Sequence, residues 1–463
     1  MADQPDVLFL VLDSMRRDRV STYGHHRKTT PTLDALAKRA SVFENAFTPA
    51  PWTLPSHCSM FTGLFPSEHG VTNGFTDRDL RLAEEFTTVT ERLAERGYRT
   101  AGFSNNPWVG KLSGLDRGFD EYVEWNLEIG VEGDADLHTR RERLYSRGNT
   151  WLGHASRQPL FALKRPFFTS SLTDRAKRWF DYTSGSDDPT FTFMNLMEAH
   201  SPYFPPKDAF RKLGLKAPNE LEPRLLNTRL LAYVLGTRDL GDDERERVLE
   251  FYDAALRYQD AKVNGLLTML DEQGRLDDTL VVVCADHGKT LGEYDRDGTP
   301  PHYVRDINVN VPLLVKWPGQ NEGERVEAPV DLTDLHELLL GEAESSEAWA
   351  DDDVALTEDH VPHTGRASKP VTHWRVLSDS EFKYARSEEG EEFVFERRGD
   401  ADPANRKPNG ERLVEADEAM LAEARRRLDE RIETLNESAG VADDADGELD
   451  GDVQAQLRDL GYL

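Results

Sequence analysis

Three segments of strand length, each mostly apolar, are followed by side chains that could bind a cation or transfer a proton. The stretches and the residues that follow them are Val7–Leu12 with Asp13 and Ser14, Phe191–Leu196 with Glu198 and His200, and Asp277–Cys284 with Asp286 and His287. Carboxylate oxygens together with one imidazole nitrogen suit a divalent cation such as Ca²⁺, Mg²⁺ or Mn²⁺, and they also accept Zn²⁺. We therefore predict a single-cation site built from Asp13, Ser14, Asp286 and His287.

The strand ends fit an α/β fold in which one sheet positions the site. Continuous apolar runs are typical of strands buried on both faces of a parallel sheet, and ligands bind at the carboxyl ends of such strands. Helical spacing over Thr32–Ala40, Phe86–Arg96 and Glu244–Gln273 alternates with these runs. This alternation predicts a mostly parallel central sheet flanked by helices.

The C-terminal part of the chain has a different pattern, which predicts a smaller antiparallel subdomain. Short strands are expected at Trp374–Leu377, Phe382–Ala385 and Glu392–Phe395, followed by a helix at Glu418–Leu435. An acidic linker, Gly341–Asp353, precedes this part of the chain.

We predict three units along the chain. Residues 1–340 form the catalytic domain, 354–437 form the C-terminal α+β subdomain, and 438–463 form an acidic tail. Within the first unit, 130–188 has no clear period and is expected to be a lid or substrate-binding insertion.

The composition restricts the partners and the compartment. The 463 residues include 86 acidic and 56 basic ones, for a net charge of −30. Such a surface repels phosphate backbones, which excludes nucleic acid as a partner, and it favours solubility in concentrated salt. An ordinary acidic cytosolic protein is the alternative. Two cysteines form no disulfide framework, and neither an export signal nor a membrane-spanning stretch is present, so we predict a cytoplasmic protein.

Several motifs, in order along the chain, together resemble the sulfatase family of the alkaline-phosphatase superfamily. The window Ala50–Gly70 resembles its signature, Cys/Ser-x-Pro-Ser-Arg followed by a small residue, Ser, two apolar residues, Thr and Gly. Further resemblances are Asp13–Asp18 with Tyr23-Gly24, Glu198–Tyr203, Leu280–Gly288, Val311–Val315 and the ending Leu457–Leu463. The resemblance implies a sulfatase-like fold and a metal-dependent enzyme that cleaves sulfuric esters.

Thr53 stands at the position of the family's nucleophile, at the start of an expected helix whose N-terminal amides would hold a tetrahedral anion. A helix N-cap is the alternative role. Formylglycine, the sulfatase nucleophile, is made from Cys or Ser, so we expect none here. Cys58 lies on a different helical face and is not expected to replace it. Thr53 would instead need water to attack the covalent intermediate, as in the phosphatases and phosphodiesterases of the superfamily.

Other positions depart from the family pattern. His57 replaces an Arg, Ser14 replaces the second Asp of the metal pair, and Lys289 replaces a frequent Glu. We predict that His57 and Lys289 contact the transferred anion and that His200 is the acid for the leaving group.

Two further candidates complete the site. His302 is a second candidate acid, ligand or substrate contact, and Asn73 falls where some relatives place an anion-contacting amide. A second metal site formed by His200, His302 and Glu198 is left open. The alternatives are a structural role for His200 and His302, a solvated side chain for Lys289 and a turn position for Asn73.

The resemblance and the departures lead to a functional hypothesis. We expect a hydrolase that acts on sulfate or phosphate esters, with an anionic ester of a sulfated or phosphorylated sugar as its substrate. One alternative is transfer of the sulfuryl or phosphoryl group to a sugar hydroxyl. Another is a catalytically altered protein that binds glycans during surface-glycan (glycoprotein) biosynthesis. The sequence leaves open whether the enzyme prefers sulfate or phosphate esters, in which pathway it acts and what its oligomeric state is.

Overall fold

The computed structural model of the chain describes residues 4–72, 81–124, 172–234, 237–293, 304–343, 345–350, 353–360, 373–397 and 411–435. Across these ranges, every helix is too short or too polar to cross a lipid bilayer.

The apolar runs come together in one central sheet, which has eight strands within the described ranges. They are β1 (Val7–Leu12), β2 (Ser41–Phe47), β3 (Arg99–Ser104), β4 (Glu121–Glu124), β5 (Thr190–Leu196), β6 (Leu280–Cys284), β7 (Asn310–Lys316) and β8 (Glu324–Asp331). Their order is β4-β3-β5-β1-β6-β7-β2-β8, and β7 alone runs against its two neighbours. The predicted fold class, a mostly parallel sheet with helices, is confirmed.

The strands β5, β1 and β6 are adjacent and parallel, so their carboxyl ends meet at one edge of the sheet. In this register Val11 lies between Asn195 and Cys284. The long helix, Asp242–Glu272, supports this edge because its Gln259 Nε2 donates to the carbonyl of Leu196 at 2.6 Å.

Helices surround the sheet. In the described ranges they are Pro31–Leu36, Thr53–Thr62, Pro66–His69, Val89–Glu95, 172–183, Lys207–Lys212, Glu222–Val234, Asp242–Glu272, Asp306–Val309, Leu335–Leu339, Ser346–Trp349 and Glu418–Glu433, with 3₁₀ turns at Arg17–Arg19, Ser21–Tyr23, Ala37–Arg39 and Leu332–Asp334.

Three predicted boundaries were wrong by a few residues for local reasons. The helix Val89–Glu95 begins late because Thr88 caps it, and Thr88 Oγ1 accepts from the Glu91 amide at 3.2 Å. Strand β6 also begins late because 276–278 form a turn. The first predicted helix ends at residue 36 and continues as a 3₁₀ turn before β2.

The second sheet is antiparallel throughout and contains the three predicted C-terminal strands. Its strands are β9 (Ala355–Asp359), β10 (Trp374–Ser378), β11 (Phe382–Ser387), β12 (Glu392–Glu396) and β13 (Arg412–Val414). The predicted helix is present at Glu418–Glu433, and its Leu428 packs on this sheet. Phe395 and Trp374 share a buried cluster with Phe47 and Val309, which joins the two sheets.

The predicted acidic linker and insertion are partly built into the main fold. The helix Ser346–Trp349 brings Trp349 edge-on to Phe43, with ring centroids 5.1 Å apart. The segment 172–183 is a helix whose Trp179 Nε1 donates to Thr192 Oγ1 at 3.0 Å. The rest of the predicted insertion up to residue 171 and the tail 438–463 lie outside the described residues, so the domain limits stay predictions.

Candidate active site

The carboxyl ends of β1 and β6 bring three predicted metal ligands together. Ligand atoms of Asp13, Asp286 and His287 all lie within 4.8 Å of one another, and all three residues are buried. Among the residues that the structure describes, no other three His, Cys, Asp or Glu side chains are this close. A group of two carboxylates and one imidazole matches the ligand types of a divalent cation.

The Asp286 carboxylate has one satisfied oxygen and one open oxygen. Its Oδ1 accepts from the backbone amides of Ser14 and His287, both at 2.9 Å. Its Oδ2 is buried and accepts no hydrogen bond from the described residues. A buried carboxylate oxygen without a partner is costly, and a cation would satisfy it. The donor set therefore fits a divalent metal ion.

Asp13 is held from two sides. Its Oδ1 accepts from Ser14 Oγ at 2.8 Å, and its Oδ2 accepts from Asn106 Nδ2 at 2.7 Å. The predicted ligand Ser14 thus bonds to both acidic residues, and its own contact with a metal stays a prediction. Sequence reasoning missed Asn106, although it follows the end of β3 at the same edge of the sheet.

The backbone of Ser14 is strained, and a side chain from the long helix holds it. Ser14 has a φ of 58°, and no other non-glycine residue of the described ranges has a positive φ. Tyr252 OH donates to the Ser14 carbonyl at 2.7 Å and accepts from the Arg16 amide at 2.8 Å. Arg16 is fully buried between Asp18 and Glu293. Strain of this kind persists only where the surroundings enforce it, as here.

The site helix, Thr53–Thr62, presents Thr53 to His287. Trp52, the residue before it, makes no side-chain capping hydrogen bond to the first amides of the helix. Thr53 Oγ1 lies 3.1 Å from His287 Nε2. His287 Nδ1 lies 2.6 Å from the Gly288 carbonyl, to which it can only donate, so Nε2 is the ring nitrogen that faces Thr53 and is left to ligate a cation.

His57 lies one helical turn beyond Thr53 and is fully buried. Its Nδ1 donates to the Thr53 carbonyl at 2.8 Å, and its Nε2 accepts from Asn195 Nδ2 at 3.2 Å. Burial lowers the pKa of His57, which favours this neutral form. Sequence reasoning missed Asn195, whose signal is an amide within the fully buried strand β5, one residue before its end.

The end of β5 is also at this edge, but its polar residues do not join the three-residue group. His200 Nδ1 donates to the Ser201 carbonyl at 2.6 Å. Glu198 Oε1 lies 3.9 Å from Lys262 Nζ. The roles predicted for His200 and Glu198 stay predictions.

The remaining predicted residues lie at the margin of the site or outside the described ranges. Lys289 Nζ lies 5.7 Å from the ring centroid of Tyr203. Asn73 and His302 fall outside the described residues. Cys58 is fully buried, and burial raises the pKa of its thiol, so the sulfur is protonated.

Comparison with known proteins identifies the family. A family model described as "Sulfatase" matches residues 5–345, which is most of the chain. The chain belongs to the sulfatase family. As a sulfatase-family hydrolase it is related to sulfuric-ester hydrolases, which confirms the reaction class that the motifs predicted.

Relatives and solved structures agree with this assignment. The "Ulvan-active sulfatase" of Formosa agariphila is 25% identical over 90% of this chain and 80% of its own length. A phosphonate monoester hydrolase of Agrobacterium radiobacter superposes with a TM-score of 0.65 at 18% identity, covering 93% of this chain and 96% of that one. A protein solved with its substrate D-glucosamine-2-N,6-O-disulfate has a TM-score of 0.59 at 16% identity, covering 93% and 97%. The two solved structures show that this sulfatase-family chain shares their fold.

Proposed function

We propose that this sulfatase-family chain hydrolyses sulfate or phosphate esters of sugars and that Thr53 is its nucleophile. The observation that supports this most directly is the 3.1 Å contact between Thr53 Oγ1 and His287 Nε2. His287 belongs to the group that it forms with Asp13 and Asp286. The hydroxyl also stands at an uncapped helix N-terminus, whose amides suit a tetrahedral anion.

Asp13, Asp286 and His287 would hold one divalent cation (Ca²⁺, Mg²⁺ or Mn²⁺), which when bound would lower the pKa of the nucleophile and offset the charge of the transferred anion. Thr53 would react as its alkoxide after losing its proton to solvent: Oγ would attack the sulfur or phosphorus while the ester oxygen leaves with a proton from the protonated His200 ring. Water would then attack the same sulfur or phosphorus, return one proton to His200 and displace the Thr53 alkoxide.

The Thr53 hydroxyl determines how the second half of the reaction must proceed. Formylglycine hydrate releases sulfate by breaking a carbon–oxygen bond, whereas a threonine ester has no second hydroxyl on the same carbon to drive that release. Its covalent intermediate must therefore be cleaved at sulfur or phosphorus. His57 supports this chemistry by holding the Thr53 carbonyl, so we propose that it positions the nucleophile, and its contact with the anion stays a prediction.

Two observations support the substrate class. One relative is named for activity on ulvan, and one solved structure holds a disulfated glucosamine as its substrate.

The acidic composition, with a net charge of −30, supports activity of the protein in concentrated salt. The cytoplasmic location and a place in surface-glycan assembly remain predictions.

Initial rates on an aryl sulfate, an aryl phosphate and an aryl phosphodiester, in multimolar KCl with Mn²⁺, Ca²⁺ or Mg²⁺, test this proposal. Wild type should turn over at least one ester, and Thr53→Ala should lower that rate by roughly 10³-fold or more. The matched control is Thr62→Ala at the other end of the same helix, where the hydroxyl bonds to the Cys58 carbonyl. This control should retain the wild-type rate.

The panel also separates the alternatives. No Thr53-dependent rate on any of the three esters would contradict hydrolysis. Product formed only when a sugar hydroxyl is supplied would favour group transfer. Absence of both would favour a glycan-binding protein.

A further inference from the structure

The C-terminal sheet contributes a buried lysine to the support of the metal-site turn. Lys383, on β11, is fully buried. Its Nζ donates to the Val304 carbonyl at 2.8 Å and to Asp306 Oδ1 at 3.0 Å, and it also pairs with the buried Glu411. Arg397 Nε donates to the other oxygen of Asp306 at 2.9 Å.

These contacts hold a segment that bonds to the turn carrying the metal ligands. The segment is the short helix Asp306–Val309. The Gly288 amide donates to the Asn308 carbonyl at 2.7 Å, directly after His287. The approach is so close that a Cβ on Gly288 would lie 1.8 Å from the Ile307 carbonyl oxygen, which is why glycine is required there.

A second route runs from the same helix to Asp286. The Thr48 amide donates to the Val309 carbonyl at 2.9 Å. The Thr48 hydroxyl donates to the Asp286 carbonyl at 2.5 Å, and Ser56 Oγ of the site helix donates to the same oxygen at 2.8 Å. The backbone on both sides of the His287 side chain is therefore tied to Asp306–Val309.

We propose that Lys383 is a positioning residue for the metal-binding turn: its ammonium fixes Val304 and Asp306, and through them Asp286 and His287. This inference rests on the proposed metal site. Residues that orient metal ligands typically change the metal affinity roughly 10–100-fold when they are replaced.

The chain offers a matched control in Lys316, which is also fully buried. Its Nζ donates to the carbonyls of Asp277 and Trp317 at 2.6 and 3.0 Å. Lys316 lies opposite Val281, near the beginning of β6 and so at the other edge of the sheet from Asp286. Replacing it removes a buried ammonium without touching the metal-binding turn.

The test measures Mn²⁺ affinity by calorimetry, and folding by circular dichroism, in the full-length wild type and in Asp13→Asn, Lys383→Met and Lys316→Met. We expect Lys383→Met to weaken Mn²⁺ binding roughly tenfold while Lys316→Met leaves it unchanged. If Lys383→Met does not fold, Lys383→Gln, which keeps one donor, replaces it and should still weaken binding.

Wild-type affinity in the folded Lys383 variant would overturn the inference and leave the metal site intact, as would equal losses in the Lys383 and Lys316 variants. No Mn²⁺ binding by wild type, or binding that Asp13→Asn does not weaken, would instead refute the proposed metal site, so the two failures are distinguishable.

Discussion

Two buried groups of carboxylates in this molecule have opposite electrostatic surroundings. At the junction of the two sheets, Asp306 lies between Lys383 and Arg397, at 3.0 and 2.9 Å. At the edge of the central sheet, Asp13 and Asp286 have no lysine or arginine side chain of the described ranges within 4.0 Å.

The difference separates a structural from a functional use of the same residue type. Burial alone would raise the pKa of Asp306, but Arg397 and Lys383 hold it well below the usual range. The first group therefore supplies its own counter-charge and stabilises the fold. The second group lacks one, and a divalent cation is the partner that its chemistry calls for.

The largest expected effect is a difference in stability between two variants that carry the same Asp→Asn replacement, one in each group. Asp306→Asn leaves two buried cations without their shared partner and should lower the free energy of unfolding by roughly 3–5 kcal/mol. Asp286→Asn removes an unpaired buried charge, so the apoprotein should keep its stability or gain some. Urea unfolding in excess EDTA measures the free energy of unfolding of both variants. Equal losses of stability would show that the two groups of carboxylates do not differ in their role.

Acid should destabilise the fold through Glu358, another buried carboxylate with a counter-charge. Burial alone would raise its pKa, but contact with His360, the Ser67 amide and Arg375 lowers it to about 2 from an ordinary 4.5. Because the pKa in the folded state is depressed, its stabilisation is present above pH 4.5 and is lost as the pH falls toward 2.

The measurement is the free energy of unfolding against pH for wild type and Glu358→Gln. At neutral pH the free energy of unfolding should be larger for the wild type than for Glu358→Gln by up to roughly 3 kcal/mol. This difference should decrease below pH 4.5. A gap that does not depend on pH would show that the carboxylate charge is not the source of the stabilisation.

A smaller effect is expected from Tyr252→Phe, which removes the hydroxyl that holds the strained turn at Ser14. The two lost hydrogen bonds are worth about 2 kcal/mol together, so Mn²⁺ binding should weaken by at most about 30-fold. Tyr258→Phe, on the same long helix, is the matched control. Equal Mn²⁺ affinity in both variants would show that Tyr252 supports only the fold and not metal binding.

The sequence predicts the strands and the ligands at their ends because both signals are local. Continuous apolar runs predict β1, β5 and β6, and the polar residues after β1 and β6 do meet at one edge of the sheet. The family motif also predicts Thr53 at the start of a helix, where the structure places it.

The missing parts of the site depend on contacts between distant segments. Asn106, Asn195 and Tyr252 reach the site from elements far from their partners in sequence. Periodicity does not reveal such contacts, nor does it reveal the positive φ of Ser14, which the folded surroundings enforce. Lys383 was missed for the same reason, since it acts through backbone bonds of a neighbouring segment.

The most direct test of the account is the number of Mn²⁺ ions bound per chain, measured by elemental analysis after equilibrium dialysis, for wild type and Asp286→Asn. We predict one ion per wild-type chain and none on the variant, with both proteins folded by circular dichroism. A wild-type protein without bound Mn²⁺, or a variant that binds as much as wild type, would contradict the account.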